Sequence, residues 1–331
     1  MKALRSSWFP ILLGIIIVAV ILSKILYTPT SREKAVVENK RIKNEWHAPD
    51  INLVPQTPEG DMIHYGRNLI VNTSKYFGPG GIVAPITNGM NCQNCHVEAG
   101  TKAFGNSFAA VASTYPKYRD RSGRVESIEF RINDCMERSL NGKPIDSLSK
   151  EMRAMVSFFK WLGKDVKHGD KPYGSGIVEI PFIDRAADPQ KGETIFQNKC
   201  QRCHGNNGEG VVDIDQVGYK YPPVWGKNSY NVTAGLYRIS RLAAFVKYNM
   251  PFDQTQLSPQ LTDEEAWDIA AFIISKPRPD KIFLLDWPDI KKKVFDFPFG
   301  PYADKFSEQQ HKYGPFLPIL QETEKHKAVL K

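Results

Sequence analysis

Cys92-Gln-Asn-Cys95-His96 and Cys200-Gln-Arg-Cys203-His204 are two copies of one pattern, Cys-x-x-Cys-His. This pattern is typical of covalent c-type haem attachment. Two thiols about one helical turn apart add to the two vinyl groups of one porphyrin, and the adjacent histidine reaches the iron. A structural zinc site would need another Cys-x-x-Cys or a spaced histidine pair nearby, which the sequence does not offer. We therefore predict two covalently bound haem c groups, each held by two cysteines and one histidine.

The flanks of the second motif predict a small helical domain. Residues 188–196 have helical spacing and place Gly192 and Phe196 on one face. Further along, Thr262 and Glu265 form a capping box that begins a closing helix. We expect the first helix to cross the second, as the terminal helices of a small cytochrome c domain do.

The first motif has similar flanks. A segment around Tyr65 and Gly66 precedes it, and Asp146 with Ser147 is predicted to cap a closing helix that continues to Leu162. The predicted fold is therefore mainly α, with two cytochrome c-like domains in tandem. The expected divisions are an N-terminal transmembrane anchor at 1–27, a tether at 28–60, domain 1 at 61–165, a linker at 166–184, domain 2 at 185–279 and an extended C-terminal arm at 280–331.

The N-terminus carries an apolar run from Trp8 to Tyr27, preceded by Lys2 and Arg5. Its length matches the ~20 residues that a membrane-crossing helix needs. The positive-inside rule then exports the rest of the chain to the periplasmic side of the cytoplasmic membrane. The alternative is a cleaved signal peptide, which would leave a soluble periplasmic protein, but no small-x-small cleavage site follows the run.

The charge is modest. The 331 residues include 44 Lys and Arg against 36 Asp and Glu, a formal charge of +8 without any long basic block. Nucleic-acid binding is therefore not predicted, whereas small anions or an acidic protein partner fit such a surface. Five cysteines are too few for a disulfide scaffold.

The second haem needs another axial ligand, which sets its potential. Asn249-Met250-Pro251 stands before the closing helix, where a small cytochrome c supplies a thioether, so Met250 is the predicted ligand with His204. Lys247 lies one turn away and is a possible competitor for the iron. The plain alternative is that Met250 only fills the core.

The first domain has no Asn-Met-Pro segment but contains Cys135, the fifth and unpaired cysteine. It is either an inert buried thiol or a thiolate ligand of the first haem, which would lower the potential of the iron. The adjacent Met136 is an alternative ligand. Guanidinium groups suit small oxyanions, and several arginines gather near Cys135, although each alone could be a solvated surface residue: Arg119, Arg121, Arg124, Arg131 and Arg138.

With these residues in view, the chain resembles the dihaem thiosulfate dehydrogenases and, more distantly, the haem subunit of the Sox thiosulfate-oxidising complex. The resemblance covers roughly residues 60–318. Its most specific part is the block Arg131-Ile-Asn-Asp-Cys135-Met-Glu-Arg138-Ser139, together with Tyr115-Pro116-Lys-Tyr118-Arg119 and a tail motif at 297–316. Many members are soluble, so the apparent anchor is a departure that concerns the electron acceptor more than the chemistry.

The resemblance implies that the first haem is the active site, with His96 and Cys135 as its axial pair. It also implies that Arg121, Arg131 and Ser139 line the substrate pocket. The second haem would pass electrons out through His204 and Met250, with Lys247 as a possible ligand in one oxidation state.

The reaction implied is the joining of two thiosulfates into tetrathionate, with two electrons passed to a c-type cytochrome or another acceptor. The same family also reduces tetrathionate, and the sequence does not set the direction. Two alternatives are a membrane-tethered dihaem electron carrier without its own substrate and a binding subunit of a larger sulfur-oxidising complex.

Overall fold

Helices account for most of the ordered elements. The computed structural model describes residues 45–215, 217–252 and 258–329. Its helices are α1 Pro58–Val71, α2 Thr73–Phe77, α3 Val97–Gly100, α4 Val111–Thr114, α5 Ile128–Arg138, α6 Lys150–Leu162, α7 Pro189–Lys199, α8 Gln201–His204, α9 Ile239–Asn249, α10 Asp263–Ser275, α11 Glu308–Tyr313 and α12 Leu317–Val329, with single 3₁₀ turns at Ile51–Leu53, Cys92–Asn94, Gly235–Tyr237 and Ile290–Lys292.

Two short hairpins complete the secondary structure. β1 (Lys117–Arg119) pairs antiparallel with β2 (Arg124–Glu126), and β3 (Val211–Val212) pairs antiparallel with β4 (Tyr219–Tyr221). The first hairpin ends directly before α5. The prediction of a mainly α fold is confirmed.

The first half is closed by the crossing of α1 and α6. At Gly66 an added Cβ would lie 2.0 Å from the carbonyl oxygen of Ala154, so only glycine allows this approach. The predicted cap of α6 is wrong by two residues. Ser149 caps the helix by accepting a hydrogen bond from Met152 N, while Asp146 closes the preceding turn by accepting from Leu148 N at 2.9 Å.

The second half repeats this construction with α7 and α10. An added Cβ at Gly192 would lie 1.9 Å from the carbonyl oxygen of Asp268 and 2.8 Å from the Cβ of Phe272. The predicted capping box is present, with the Thr262 side chain accepting from Glu265 N at 3.1 Å. The predicted crossing is therefore confirmed in the second half.

Each half buries its own hydrophobic core. The first core contains Leu69, Met155 and Phe158, and the second contains Phe196 and Trp267, all nearly inaccessible to water. Residues 46–331 nevertheless form one compact unit, because polar contacts join the halves.

The C-terminal segment differs from the prediction of an extended arm, because it contains α11 and α12. Ser307 caps α11 by accepting from Gln310 N, and Phe316 and Ile319 are buried in the second core. These contacts make the segment part of the second half. Residues 280–307, which we call the C-terminal arm, contain no α-helix and one 3₁₀ turn at Ile290–Lys292.

The predicted anchor at 1–27 and residues 28–44 of the tether lie outside the described residues. The rest of the predicted tether contains a 3₁₀ turn and the start of α1 at Pro58. Across the described residues, we find no helix with both the length and the apolar character that crossing a membrane requires.

The crossing of α7 and α10 generates the first prediction. Gly192→Ala should lower the free energy of unfolding by about 1–3 kcal/mol, because the added methyl group has no space beside the Asp268 carbonyl. Gly235→Ala is the matched control, since an added Cβ there meets no atom within 4 Å. Thermal unfolding of the purified haem protein measures both. Equal melting temperatures for the two variants would contradict the close crossing.

Candidate active site

The first Cys-x-x-Cys-His motif is held in place from both ends. Cys92 N donates to Thr73 Oγ1 at 3.0 Å, and Asn91 N donates to Asn94 Oδ1 at 2.7 Å across the 3₁₀ turn. His96 stacks on Phe108, with ring centroids 4.3 Å apart. The motif is therefore fixed on the wall of the first core.

Both motif histidines are oriented by a backbone carbonyl. His96 Nδ1 lies 2.6 Å from Asn106 O, and His204 Nδ1 lies 2.9 Å from Pro222 O. A carbonyl only accepts, so the ring proton is assigned to Nδ1 and Nε2 keeps its lone pair. Burial lowers the pKa of His96 to about 4 and also lowers that of His204, which keeps both rings neutral. This is the arrangement that a metal-ligating histidine uses.

A partly open cavity adjoins the first motif. Most of its lining is apolar, which suits a porphyrin. One group of lining residues carries the chemistry expected for covalent haem attachment and for the predicted pocket: Cys92, Cys95, His96, Arg131, Cys135 and Ser139. The donor set therefore fits a haem c group. Met136 lines the same cavity, so the alternative ligand is brought to the same place.

Cys135 and Arg131 lie one turn apart on α5 and act on each other electrostatically. Burial raises the pKa of the Cys135 thiol, while Arg131 acts in the opposite direction and stabilises the thiolate. The Cys135 thiolate in turn raises the pKa of Arg131. The Arg131 side chain keeps 32% of its surface exposed, so an anion from solution can reach it.

Arg138 has a different environment from Arg131. Its side chain is only 7% exposed, and its two Nη atoms donate to the carboxylate of Asp286 at 2.7 Å each. Its Nε also donates to Asp134, which accepts from Arg131 as well. Because carboxylates enclose Arg138, it anchors the end of α5.

Arg121 is brought to the same charged cluster from the β1–β2 hairpin. Its Nη1 donates to Thr233 O at 3.2 Å, and its guanidinium lies 5.7 Å from the centre of the Trp287 ring. Burial, followed by the neighbouring Arg138, lowers the pKa of Arg121 to about 10, so it stays charged at neutral pH. Ser139 ends α5 and lines the cavity.

The other two predicted arginines, Arg119 and Arg124, lie in different environments. Arg119 is close enough to Cys135 to lower its pKa, whereas Arg124 stacks on Phe130 with its guanidinium carbon 4.0 Å from the ring centre. Arg124 is exposed and does not line the cavity. The structure thus groups Arg119, Arg121 and Arg131 near Cys135 and leaves Arg124 on the surface.

The second motif lies at the start of α8, and Met250 directly follows α9. Met250 is half-buried and packs against the second core. Its neighbour Asn249 is almost fully buried and donates to Phe104 O at 3.2 Å, in the loop that also positions His96. Lys247 is buried, and its ammonium forms an ion pair with Asp263 at the start of α10.

Asp286 and Trp287 belong to the site although the sequence reasoning missed them. Asp286 neutralises Arg138, and Trp287 N donates to Arg121 O at 2.6 Å. Both lie about 150 residues from α5 in a segment without periodicity, so no local pattern identifies them. The available signal was a tryptophan directly after an aspartate, Asp286-Trp287.

Among the described residues, no group of three or more His, Cys, Asp or Glu side chains is arranged to hold a metal ion directly. The cysteines are all free, including Cys135. The Cys-x-x-Cys pairs are therefore neither disulfides nor, within the described chain, parts of a zinc-type ligand set.

Comparisons with known proteins agree with two c-type domains. A family model described as the SoxA/TsdA cytochrome c domain matches residues 84–167, and a cytochrome c model matches residues 189–276. A thiosulfate dehydrogenase of Psychrobacter arcticus is 38% identical over 244 residues, which cover 73% of this chain and 71% of that protein. The thiosulfate dehydrogenase of Allochromatium vinosum is 36% identical over 235 residues, covering 70% and 83%.

A solved structure is also similar. It is the as-isolated form of the thiosulfate dehydrogenase TsdBA from Marichromatium purpuratum, with a TM-score of 0.66 and 26% identity. The match covers 82% of this chain and 54% of that chain, so this chain corresponds to about half of the TsdBA polypeptide.

Proposed function

Because the chain belongs to the thiosulfate dehydrogenase family, we propose that it joins two thiosulfate ions into tetrathionate and passes the electrons to a c-type cytochrome or a similar redox protein. The resemblance drawn from the motifs is confirmed, and with it the two covalently bound haem c groups. One observation carries the proposal for the site. The partly exposed Arg131 and the free thiol of Cys135 line the cavity that adjoins the first haem-attachment motif.

The reaction balances without protons. One sulfur–sulfur bond forms between the terminal sulfurs of two thiosulfates, each thiosulfate gives up one electron, and the product keeps two of the four negative charges. Each haem c accepts one electron when bound, so the two groups together take up both electrons.

Bringing two dianions together is the physical problem that the protein must solve. At a distance of 4 Å, each pair of unit charges repels by about 4 kcal/mol at an effective dielectric constant of 20. Arg131 and Arg121 offset this repulsion, and Arg119 adds positive potential near Cys135. Ser139 offers a hydroxyl beside the same cavity. Fixed guanidinium groups do this without reorganising during the reaction.

His96 and Cys135 would hold the iron of the first haem, since both line the same cavity. The unprotonated Nε2 of His96 supports the role of His96 as a ligand. The stabilising effect of Arg131 on a Cys135 thiolate supports the role of Cys135. A thiolate there also puts a nucleophilic sulfur beside the cavity, and the new bond can form directly between the substrates or through Cys135. On the second route, the Cys135 thiolate and one thiosulfate form a sulfur–sulfur bond and give up two electrons to the haems. The second thiosulfate then attacks the outer sulfur, which breaks that bond, releases tetrathionate and restores the Cys135 thiolate.

We place His204 and Met250 as the ligands of the second haem. Met250 directly follows the buried end of α9, which fixes the position of its side chain. A thioether ligand would raise the potential of the iron. Lys247 competes only after it leaves the ion pair with Asp263. A higher potential at the second haem favours electron flow outward, although the same residues also serve tetrathionate reduction.

The electron-carrier alternative is not favoured, because several curated relatives over most of the chain are thiosulfate dehydrogenases. We further propose that the protein works on the periplasmic side of the cytoplasmic membrane, held there by the apolar residues 8–27.

Cys135→Ala tests the assignment of the sulfur. The variant should keep both covalent haems, because its attachment cysteines are unchanged. It should lose the EPR signature of a thiolate-ligated low-spin haem and at least about 100-fold of its thiosulfate-dependent turnover, since the nucleophilic sulfur is gone. Wild-type turnover in this variant would remove Cys135 from the mechanism.

The same assay tests the anion site. Arg131→Gln should raise the KM for thiosulfate about tenfold or more, because one charge-assisted contact contributes roughly 1.5–3 kcal/mol. Arg124→Gln removes an equal charge from the neighbouring surface and should leave the KM within about twofold. If both variants behave alike, the pocket is not at Arg131.

Absorption spectra of the oxidised protein test the second haem. Met250→Ala should abolish the charge-transfer band of a thioether-ligated iron and lower the potential of that haem. Lys247→Ala should leave the band in place, because the Lys247 ammonium pairs with Asp263. The reverse pattern, with the band sensitive only to Lys247, would reassign the ligand.

Cell fractionation tests the anchor. The full chain should remain with the membranes after a high-salt wash, whereas a chain exported by a cleavable leader in place of residues 1–27 should be released as soluble periplasmic protein with unchanged turnover. Release of the full chain into the soluble fraction would establish the cleaved-signal alternative.

A further inference from the structure

A tight turn in the C-terminal arm presents aliphatic side chains to solvent. Asp286 N donates to Phe283 O at 3.0 Å, which closes the turn and places Leu284 and Leu285 at its two central positions. These two residues are 92% and 87% exposed, and Ile282, directly before the turn, is 73% exposed. Central turn positions usually carry glycine, proline, asparagine or aspartate, which suit the turn geometry in a way that leucine does not. We call Ile282, Leu284 and Leu285 the aliphatic tip.

The residues on either side of the aliphatic tip are tied to the first half. Asp286 accepts hydrogen bonds from both Nη atoms of Arg138 at 2.7 Å each, and the centre of the Phe283 ring lies 3.8 Å from the guanidinium carbon of the same arginine. On the other side, Lys281 Nζ donates to Gly142 O at 2.8 Å. Arg138 and Gly142 are both buried. The leucines therefore cannot turn toward the core without breaking contacts to buried groups.

The aliphatic tip has no part in the cavity at the first motif, since none of its three residues lines that cavity. Single exposed aliphatic residues are normal on a protein surface, but neighbouring ones mark a contact site. The gain from covering aliphatic surface is roughly proportional to the area removed from water. The tip is therefore suited to a partner that offers an apolar phase.

The chemistry of the tip favours lipid over protein as that partner. Residues that dominate protein interfaces are Trp, Tyr and Arg, whereas Leu is under-represented among them. The tip offers only branched aliphatic carbons, because the nearby Trp287 is buried and Phe283 covers Arg138. The boundary between lipid headgroups and acyl chains accepts such side chains without a specific geometry.

A lipid surface is also the partner that the chain would hold within reach. Seventeen residues, 28–44, separate the apolar run from the described chain, and such a segment spans at most about 60 Å. Tethering at that distance raises the effective concentration of the bilayer surface, so a weak contact is sufficient. We propose that the aliphatic tip inserts into the periplasmic surface of the cytoplasmic membrane as a second contact beside the anchor. The inference rests on the proposed membrane location and not on the thiosulfate reaction.

The charges around the tip make this contact mainly hydrophobic. Lys281, Lys291 and Lys292 flank the tip, but the exposed Asp280 and Asp289 offset most of their charge. Binding should therefore depend on the leucines more than on anionic lipid. Even one acyl chain gives only marginal and reversible membrane binding, so three aliphatic side chains bind weakly and washing releases a chain without the anchor.

Flotation with lipid vesicles tests the proposal. The vesicles contain phosphatidylethanolamine and phosphatidylglycerol, and the protein is the haem-loaded chain exported by a cleavable leader in place of residues 1–27, which keeps the compact unit 46–331. This chain should bind the vesicles reversibly. Leu284→Asp combined with Leu285→Asp should lower the partition coefficient about tenfold or more, because the aliphatic contact is lost and carboxylates stay in water. Leu284→Ala combined with Leu285→Ala should give a smaller loss in the same direction.

The matched control is Ile214→Asp, since Ile214 is 97% exposed in the β3–β4 loop of the second half. It should leave the partition coefficient within about twofold of the unsubstituted chain, as expected for a surface position outside the contact. Covalent haem content and thiosulfate turnover should be the same in all variants, because the substituted side chains are exposed and lie outside the cavity.

The proposal fails if the chain does not bind vesicles, or if Ile214→Asp and the leucine variants lose binding equally. Binding that survives the leucine substitutions but disappears without phosphatidylglycerol would identify a purely electrostatic contact and overturn it. A leucine-dependent dimer in lipid-free size-exclusion chromatography would identify a second copy of the chain as the occupant instead. Because the tested chain lacks residues 1–27, these outcomes are separate from cell fractionation, which tests the anchor.

Discussion

The buried guanidinium of Arg138 is the constraint around which the first half is organised. An arginine cannot lose its charge to escape burial, so carboxylates must enclose it. Asp134 pairs with Arg138 from within α5, and Asp286 pairs with it from the C-terminal arm. The arm must therefore cross the end of α5. This crossing brings Trp287 N within hydrogen-bond distance of Arg121 O. The same helix carries Cys135 and Arg131, so one neutralised charge fixes both the sulfur and the cations of the pocket.

Hydrogen bonds between the halves link the two haem-attachment sites. Asn249, beside the proposed ligand Met250, donates to the loop that orients His96. Asn231 donates to Glu137 O and Asn141 Oδ1 at the end of α5. These buried amide contacts join the halves without using charged side chains. This explains why two separate hydrophobic cores still form one compact unit.

What the sequence could predict follows the range of each interaction. The Cys-x-x-Cys-His motifs, the Gly192 crossing and the Thr262 cap depend on residues a few positions apart, and the structure has the last two as expected. The placement of Cys135 beside Arg131 was likewise readable from their spacing on one helix. The contributions of Asp286 and Trp287 could not be predicted, because these residues contact Arg138 and Arg121 across about 150 residues of sequence. The cap of α6 was misplaced because Asp146 and Ser149 both accept local backbone hydrogens, and only packing decides between them.

In the proposed mechanism, the Cys135 thiolate and the substrates place opposing demands on the same cations. Burial raises the pKa of the Cys135 thiol, and Arg131 is the strongest opposing influence. Thiosulfate bound at Arg131 would share that positive charge, so the proposed thiolate would become less stabilised and more nucleophilic. Arg119 and Arg121 then maintain part of the potential at the sulfur. In the proposed site, one arginine could not stabilise the Cys135 thiolate and bind the substrate at the same time, whereas three arginines can do both.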